Sequence, residues 1–279
     1  MGYPYIVVQT HFNGWCMFLV YLLPLLFFSP QVRSTDSLPV FETVSVDPGE
    51  FMMGCLPKDT LCVPFEKPRH KVKITHRLEV MTTEVTQELY QVVVGKNPSR
   101  FTDCGPRCPV ENVNWDEAIS FANKLSLKQG LTPCYKLSGS DIEWDIGTCT
   151  GWRLPTEAEW EWLAKGGKND LYSGGLSPGD RAWYKANSQD QSHPVGQKKP
   201  NAYGLYDMSG NVFEWVWDWY GAYSDTPSTN PIGPEGGMDK VCRGGGWNLE
   251  TKFARVSRRM HDMPAVRSGF IGFRLVRKL

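Results

Sequence analysis

The sequence predicts an α+β domain, two or three helices packed on short, irregular sheets, and three observations carry that prediction. Three segments have helix-start and helix-stop chemistry. Short alternating apolar stretches lie between and after them. Everything else is broken by 27 Gly and 20 Pro, with 11 Trp as large anchors for so loop-rich a chain. Neither an internal repeat nor a low-complexity linker divides the 279 residues, so the simplest organisation is a leader over 1–34 and one domain over about 40–279.

Residues 1–32 hold no Asp, Glu, Lys or Arg, and WCMFLVYLLPLLFF, residues 15–28, is an unbroken apolar run of 14. Such a run suits the core of an export signal, about 7–15 apolar residues, better than a span of about 20. A basic n-region is missing, and a buried core strand or helix is the alternative. Export is the expectation, with the leader removed or kept as a membrane tether. No Cys follows the run closely, so a lipoprotein anchor has no support.

FETVSV alternates as a strand and ends in the turn DPGE; KVKITHRLEVM also has strand character. TTEVTQELYQVVVG reads as a first helix, capped by Thr83 and stopped by Gly95. Asn114 opens a second, with Glu117 at the third position and Ala118, Phe121, Ala122 and Leu125 on one face. RLPTEAEWEWLAKGG is the third: Thr156 and Glu159 form a capping box, Trp160, Leu163 and Ala164 share a face, and Gly166 ends it. FARVSRR and FIGFRLVRKL read as closing strands.

Removing a leader that contains Cys16 leaves seven cysteines, six of them in close sequential pairs. In an exported chain these read as loop staples, Cys55–Cys62, Cys104–Cys108 and Cys134–Cys149, with Cys242 a buried thiol. A zinc site at CGPRC is the rival, but no second pair or nearby His stands at metal spacing. Lys plus Arg and Asp plus Glu both count 30, so no net field favours nucleic acid. His70, His76, His193 and His261 are scattered, and neither a nucleophile elbow, a phosphate loop nor HExxH is present.

One stretch resists a bland reading. GLYDMSGNVFEWVWDWYG, residues 204–221, sets Asp207, Asn211 and Glu214 among Phe213, Trp215, Trp217 and Trp219. Burying an unpaired carboxylate costs several kcal/mol, so a cation, a capped turn or exposure should compensate these groups.

Six segments in order, GEFMMG, PVENVNWDEAISFANKLS, GWRLPTEAEWEWLAKGG, NAYGLYDMSGNVFEWVWDWY, CRGGGW and IGFRLVR, resemble the formylglycine-generating enzyme, or sulfatase-modifying factor, family. The resemblance runs from about residue 41 to the C-terminus. It implies a compact variant of the C-type lectin fold, poor in regular structure and stabilised by calcium. The family's calcium loop matches Asp207, Gly210, Val212 and Glu214, two carboxylates and two main-chain carbonyls towards the 6–8 oxygens a hard ion takes. A second family calcium site would start near Asn187, but its acidic half is shortened here to QDQSHPVG, and that site is not assigned.

The catalytic centre departs from the family. Members that oxidise a sulfatase cysteine hold Cu(I) between two cysteines after a GGSW-like turn, because Cu(I) requires soft thiolate ligands. Those positions are Leu249 and Ala254 here, the serine after the two glycines is Gly246, and no copper is expected. Other members use the fold without that oxidation, among them variable proteins whose ligand face follows the turn. That face would comprise Trp247, Asn248, Glu250, Lys252, Arg255, Ser257, Arg259, His261 and Asp262, with Phe253 and Val256 turned to the core. The expectation is an exported, non-catalytic binding or accessory module for a protein or glycan partner. A formylglycine-type oxidase with a divergent active site is the alternative.

Overall fold

The computed structural model describes residues 37–139 and 141–279; the expected leader over 1–34 lies outside the described residues. Among the described residues the strands are β1 (Thr43–Val46), β2 (Gly49–Met53), β3 (His70–Ile74), β4 (Leu78–Met81), β5 (Tyr135–Ser138), β6 (Asp141–Trp144), β7 (Phe213–Trp219), β8 (Ser228–Thr229), β9 (Lys240–Arg243), β10 (Arg259–Asp262), β11 (Ile271–Gly272) and β12 (Val276–Lys278). The helices are α1 (Gln87–Val94), α2 (Trp115–Lys128), α3 (Glu157–Lys165) and the single turn α4 (Pro178–Arg181).

The strands build small sheets: β10-β9-β7-β11, β1-β4-β12, β2-β3-β8 and the hairpin β5-β6. β7 is the central ribbon, antiparallel to β9 and parallel to β11. On one side, Phe213 and Trp215 join Tyr90, Phe121, Trp152 and Phe273 in the main apolar core beneath α1 and α2. On the other, Val216 packs with Trp160, Leu163, Val80 and Val276 in a second core beneath α3.

Two of the three expected helix starts form as read. Asn114 and Glu117 make a reciprocal capping box on α2, and Thr156 and Glu159 make one on α3. The first helix starts later than expected: Thr86, not Thr83, caps α1, its Oγ1 accepting from Leu89 N–H at 3.3 Å. Val85 is drawn instead into backbone pairing, donating to Phe273 O and accepting from Val110 N–H, so tertiary hydrogen bonds outweigh the local cap.

The C-terminal strands also differ from expectation. FARVSRR is a chain of turns, with Ala254 N–H donating to Thr251 O and Arg258 N–H to Arg255 O, and β10 begins only at Arg259. Buried ion pairs of Arg255 and Arg259 override the alternating pattern there. FIGFRLVRKL divides between two sheets, β11 beside β7 and β12 beside β4. KVKITHRLEVM likewise divides into β3 and β4. The three expected disulfides are present and Cys242 is a buried free thiol, so the Cys104–Cys108 pair is a staple and not a zinc ligand pair. Among the described residues no helix is long and apolar enough to cross a membrane.

Candidate functional site

The 207–214 loop turns through three residues of positive φ, Asp207 (55°), Gly210 (83°) and Asn211 (59°). Only glycine fits at 210, where a Cβ would lie 2.3 Å from Trp183 O. Asn211 is fully buried and works as a clamp. Its Oδ1 accepts from His193 N–H (3.0 Å), its Nδ2 donates to His193 O (3.2 Å), and its carbonyl accepts from Trp247 N–H (2.7 Å). It therefore ties the 183–193 segment to the glycine turn at 244–246.

Glu214 is compensated by an arginine. Arg274 donates from Nε to Oε2 and from Nη2 to Oε1, both at 2.7 Å, and Trp160 Nε1 donates to Oε2 at 2.7 Å. All three side chains are buried. Asp207 accepts from Gly196 N–H at 2.7 Å through Oδ2, while its Oδ1 has no partner. Glu84, also buried, has neither oxygen paired. Burial, then the neighbouring Asp207, pushes the Glu84 carboxyl well above its usual range, and burial pushes Asp207 up to about 6.

The four residues offer the family's calcium ion unequal ligands. Gly210 has the left-handed backbone of the turn, and the orphaned Asp207 Oδ1 is a free ligand atom. Glu214 is not free: a bidentate guanidinium covers both its oxygens, and its positive charge would repel a dication beside it. Asp207, Gly210, Val212 and Glu214 as a set do not fit calcium in this arrangement.

The aromatic run in β7 has its own explanation. Lys240 Nζ lies 3.9, 4.9 and 3.7 Å from the ring centroids of Trp115, Trp217 and Trp219, and donates to Trp217 O at 2.9 Å. Burial pushes the Lys240 pKa down to about 7, with Asp218 and Asp116 opposing. Neither Lys240 nor Arg274 is marked by periodicity or spacing in the sequence.

After the glycine turn the expected ligand face divides. Trp247 is anchored by Nε1–H to Gly269 O (2.9 Å) and by an edge contact with Phe101. Asn248 is half-buried with Oδ1 unpaired, and Glu250 and Lys252 are exposed partners of each other. His261 is exposed, stacked on Tyr220 and bonded to Asp239. Arg255 and Arg259 are not on the wet side: their relative exposures are 1% and 2%. Arg255 forks onto Glu66 (2.8 and 2.7 Å) and also pairs with Asp59; Arg259 forks onto Glu157 (2.6 and 2.8 Å). Ser257 is buried with them, and Phe253 is half-buried while Val256 is in the core. A buried guanidinium needs a carboxylate, and those carboxylates come from segments up to 196 residues away, so local alternation misplaces the arginines.

Leu249 packs on the main core and Ala254 is buried against Tyr172 and Ala182. The free thiol of Cys242 sits in the main core on β9, where burial pushes its pKa well above the usual thiol value. Glu111 is fully buried near Gly269, with Oε1 accepting from Phe101 N–H (2.8 Å) and Oε2 unpaired.

A family profile described as sulfatase-modifying factor enzyme 1-like domain matches residues 29–279. The chain is 36% identical over 208 residues to a protein named chaperone protein LppX from Paenibacillus barcinonensis, covering 62% of this chain and 70% of that one. It is 32% identical over 189 residues to the formylglycine-generating enzyme of Streptomyces coelicolor, covering 61% of this chain and only 52% of the enzyme. The solved structure of Treponema denticola variable protein 1 superposes with a TM-score of 0.79 at 37% identity, covering 86% of this chain and 95% of that one.

Proposed function

The chain belongs to the sulfatase-modifying factor enzyme 1-like family and has its fold, and from that premise we propose that it is an exported, non-catalytic binding or accessory module. Its partner is a protein or glycan, met on the accessible residues that follow the glycine turn, half-buried Asn248 and exposed Glu250 and His261. One observation carries the reading. Leu249 and Ala254 stand at the two positions where the family's copper enzymes have thiolates, and neither side chain offers a donor. Cys242, a single thiol packed into the apolar core, does not replace them. The scaffold is meanwhile kept intact, with Trp160, Trp215 and Trp247 all hydrogen-bonded through their indole nitrogens. Intact scaffold with altered site chemistry fits a change of use.

One relative is named a chaperone protein, which is in keeping with an accessory role, and another is named a formylglycine-generating enzyme. Three disulfides support export, since such bonds persist in oxidising compartments. Metal analysis of the purified chain with an oxygen-uptake assay on a sulfatase-type cysteine peptide tests the reading. No redox metal and no peptide-dependent uptake is the expected result. Stoichiometric copper or iron with peptide-dependent uptake would establish the oxidase instead.

A further inference from the structure

A cleft of about 300 Å³ lies beside α3, lined by the end of β7, by the loop that follows it from Gly221 to Pro234, and by Met53, His70 and Arg259. That size falls at the lower end of small-ligand sites. The loop is pinned in place. β8 within it pairs with β3, Asn230 N–H donates to Lys73 O (2.9 Å), and Asn230 exchanges side-chain hydrogen bonds with Thr75 (2.9 and 2.7 Å). The cleft is thus formed before any ligand arrives.

Its charged groups are spent on one another. Glu157 accepts from Arg243 (3.1 Å), from Arg259 (2.6 and 2.8 Å) and from Tyr223 OH (3.1 Å). Arg259 places its remaining donor, Nη1, on the carbonyls of Phe65 (3.1 Å) and Gly221 (2.9 Å). Asp218 accepts from Glu157 N–H at 2.7 Å through Oδ2, and its Oδ1 lies under Gly233, where a Cβ would stand 2.9 Å away. Burial, then Glu157, pushes its pKa up to about 8, so at neutral pH it is a neutral acid that both donates and accepts.

The rest of the lining is of two kinds. Trp219 and Tyr223, each with a cation over one ring face, supply apolar surface with Pro231 and Pro234, and Ser224, Thr226 and Ser228 supply hydroxyls along the loop, Ser224 Oγ already accepting from Thr226 N–H at 3.1 Å. Each hydroxyl donates and accepts. A phosphate or carboxylate would find the lining guanidinium of Arg259 already spent, and a lipid chain would strand the hydroxyls without partners. A pyranose matches both surfaces, with C–H faces for the rings and prolines and hydroxyls for the polar row.

We infer that this cleft binds a neutral sugar ring, through Trp219 and Tyr223 on its apolar faces and through Asp218 and the three hydroxyls at its edge. The site shares only Arg259 with the face discussed above and stands independently of the proposed function, whose test is oxygen uptake.

Saturation-transfer NMR on the full chain tests it, with glucose, galactose, mannose and N-acetylglucosamine as neutral probes and glucuronate as the charged control. Transfer to at least one neutral sugar is expected, weaker transfer to glucuronate, and a loss of about tenfold or more in affinity when the exposed wall is filled by Ala222→Trp or Thr226→Phe. Two filling variants guard against one that misfolds, and circular dichroism checks both. The inference is overturned by no transfer to any neutral sugar, by transfer that survives both folded variants, or by glucuronate matching glucose.

Discussion

At Glu214 an arginine occupies the role a cation would otherwise fill. Arg274 covers both carboxylate oxygens inside the core, and removing one partner of such a pair leaves an uncompensated buried charge at about 3–5 kcal/mol. Glu214→Ala and Arg274→Met should each lower the melting temperature steeply, and EDTA should leave the wild-type value unchanged. A chelator-induced drop that Glu214→Ala abolishes would restore calcium to the loop. Asp218 provides a pH test. Its folded pKa is raised from 3.8 to about 8 by burial and by Glu157 and Glu159, with the Glu157 N–H and Lys240 opposing. The folded state therefore holds the proton that the unfolded chain releases. The group's stability is fully present below about pH 4 and is lost as pH rises to about 8, at about 1.4 kcal/mol for each pH unit between. Asp218→Asn keeps the acceptor for Glu157 N–H but does not titrate. Its stability advantage over wild type, read from denaturant melts, should grow from pH 4 to 8 and level off above; a pH-independent difference would overturn the assignment.

Two devices at the scale of elements do more than one job each. Glu159 closes the capping box of α3, accepts both fork nitrogens of Arg153 (2.6 and 2.7 Å) and contacts His76 Nε2 at 2.8 Å; burial pushes its carboxyl up, but Arg153, His76 and the Thr156 N–H together hold it down to about 2. Thr156→Ala, which removes only the cap, should cost about 1 kcal/mol. Glu159→Gln should cost more, since it strands a buried arginine, and equal losses in thermal melts would mean that Arg153 is satisfied elsewhere. The hairpin β5–β6 is stapled by Cys134–Cys149 and lays Tyr135 and Trp144 on Trp217, 5.3 and 5.2 Å between ring centroids. Replacing both cysteines by serine should lower stability by about 3 kcal/mol. Peptide mapping without reduction should find three bridges and one free thiol, and a bridge to Cys242 would contradict the pairing.

For the molecule as a whole, the last nine residues close the fold. β11 pairs with β7, β12 pairs with β4, Phe273 enters the main core and Arg274 neutralises Glu214. A chain ending at residue 270 loses both cores' closing strands and leaves Glu214 bare, so it should not unfold cooperatively. A sharp thermal transition in that truncated chain would show that the two cores close without their final strands. The sugar-binding cleft is likewise a product of the whole, since α3, β3, β7 and β10 each contribute to it from distant parts of the sequence.

The sequence by itself determined what depends on neighbours along the chain. The α+β class, the capping boxes at Asn114 and Thr156, the glycine stops at Gly95 and Gly166 and the three short-range disulfides were all legible, because caps, turns and staples act across a few residues. The ordered segments around those features also carried the family. Tertiary structure alone decided where charge is buried. Arg274 meets Glu214 across 60 residues, Arg255 meets Glu66 across 189 and Arg259 meets Glu157 across 102. No periodicity records such pairs, so the residues 255 and 259 expected on a wet face are interior, and the carboxylate expected on a calcium ion is on a guanidinium. The physical reason is that a buried charge is stable only beside its counter-charge, and which counter-charge comes within hydrogen-bond reach is fixed only when the distant segments pack.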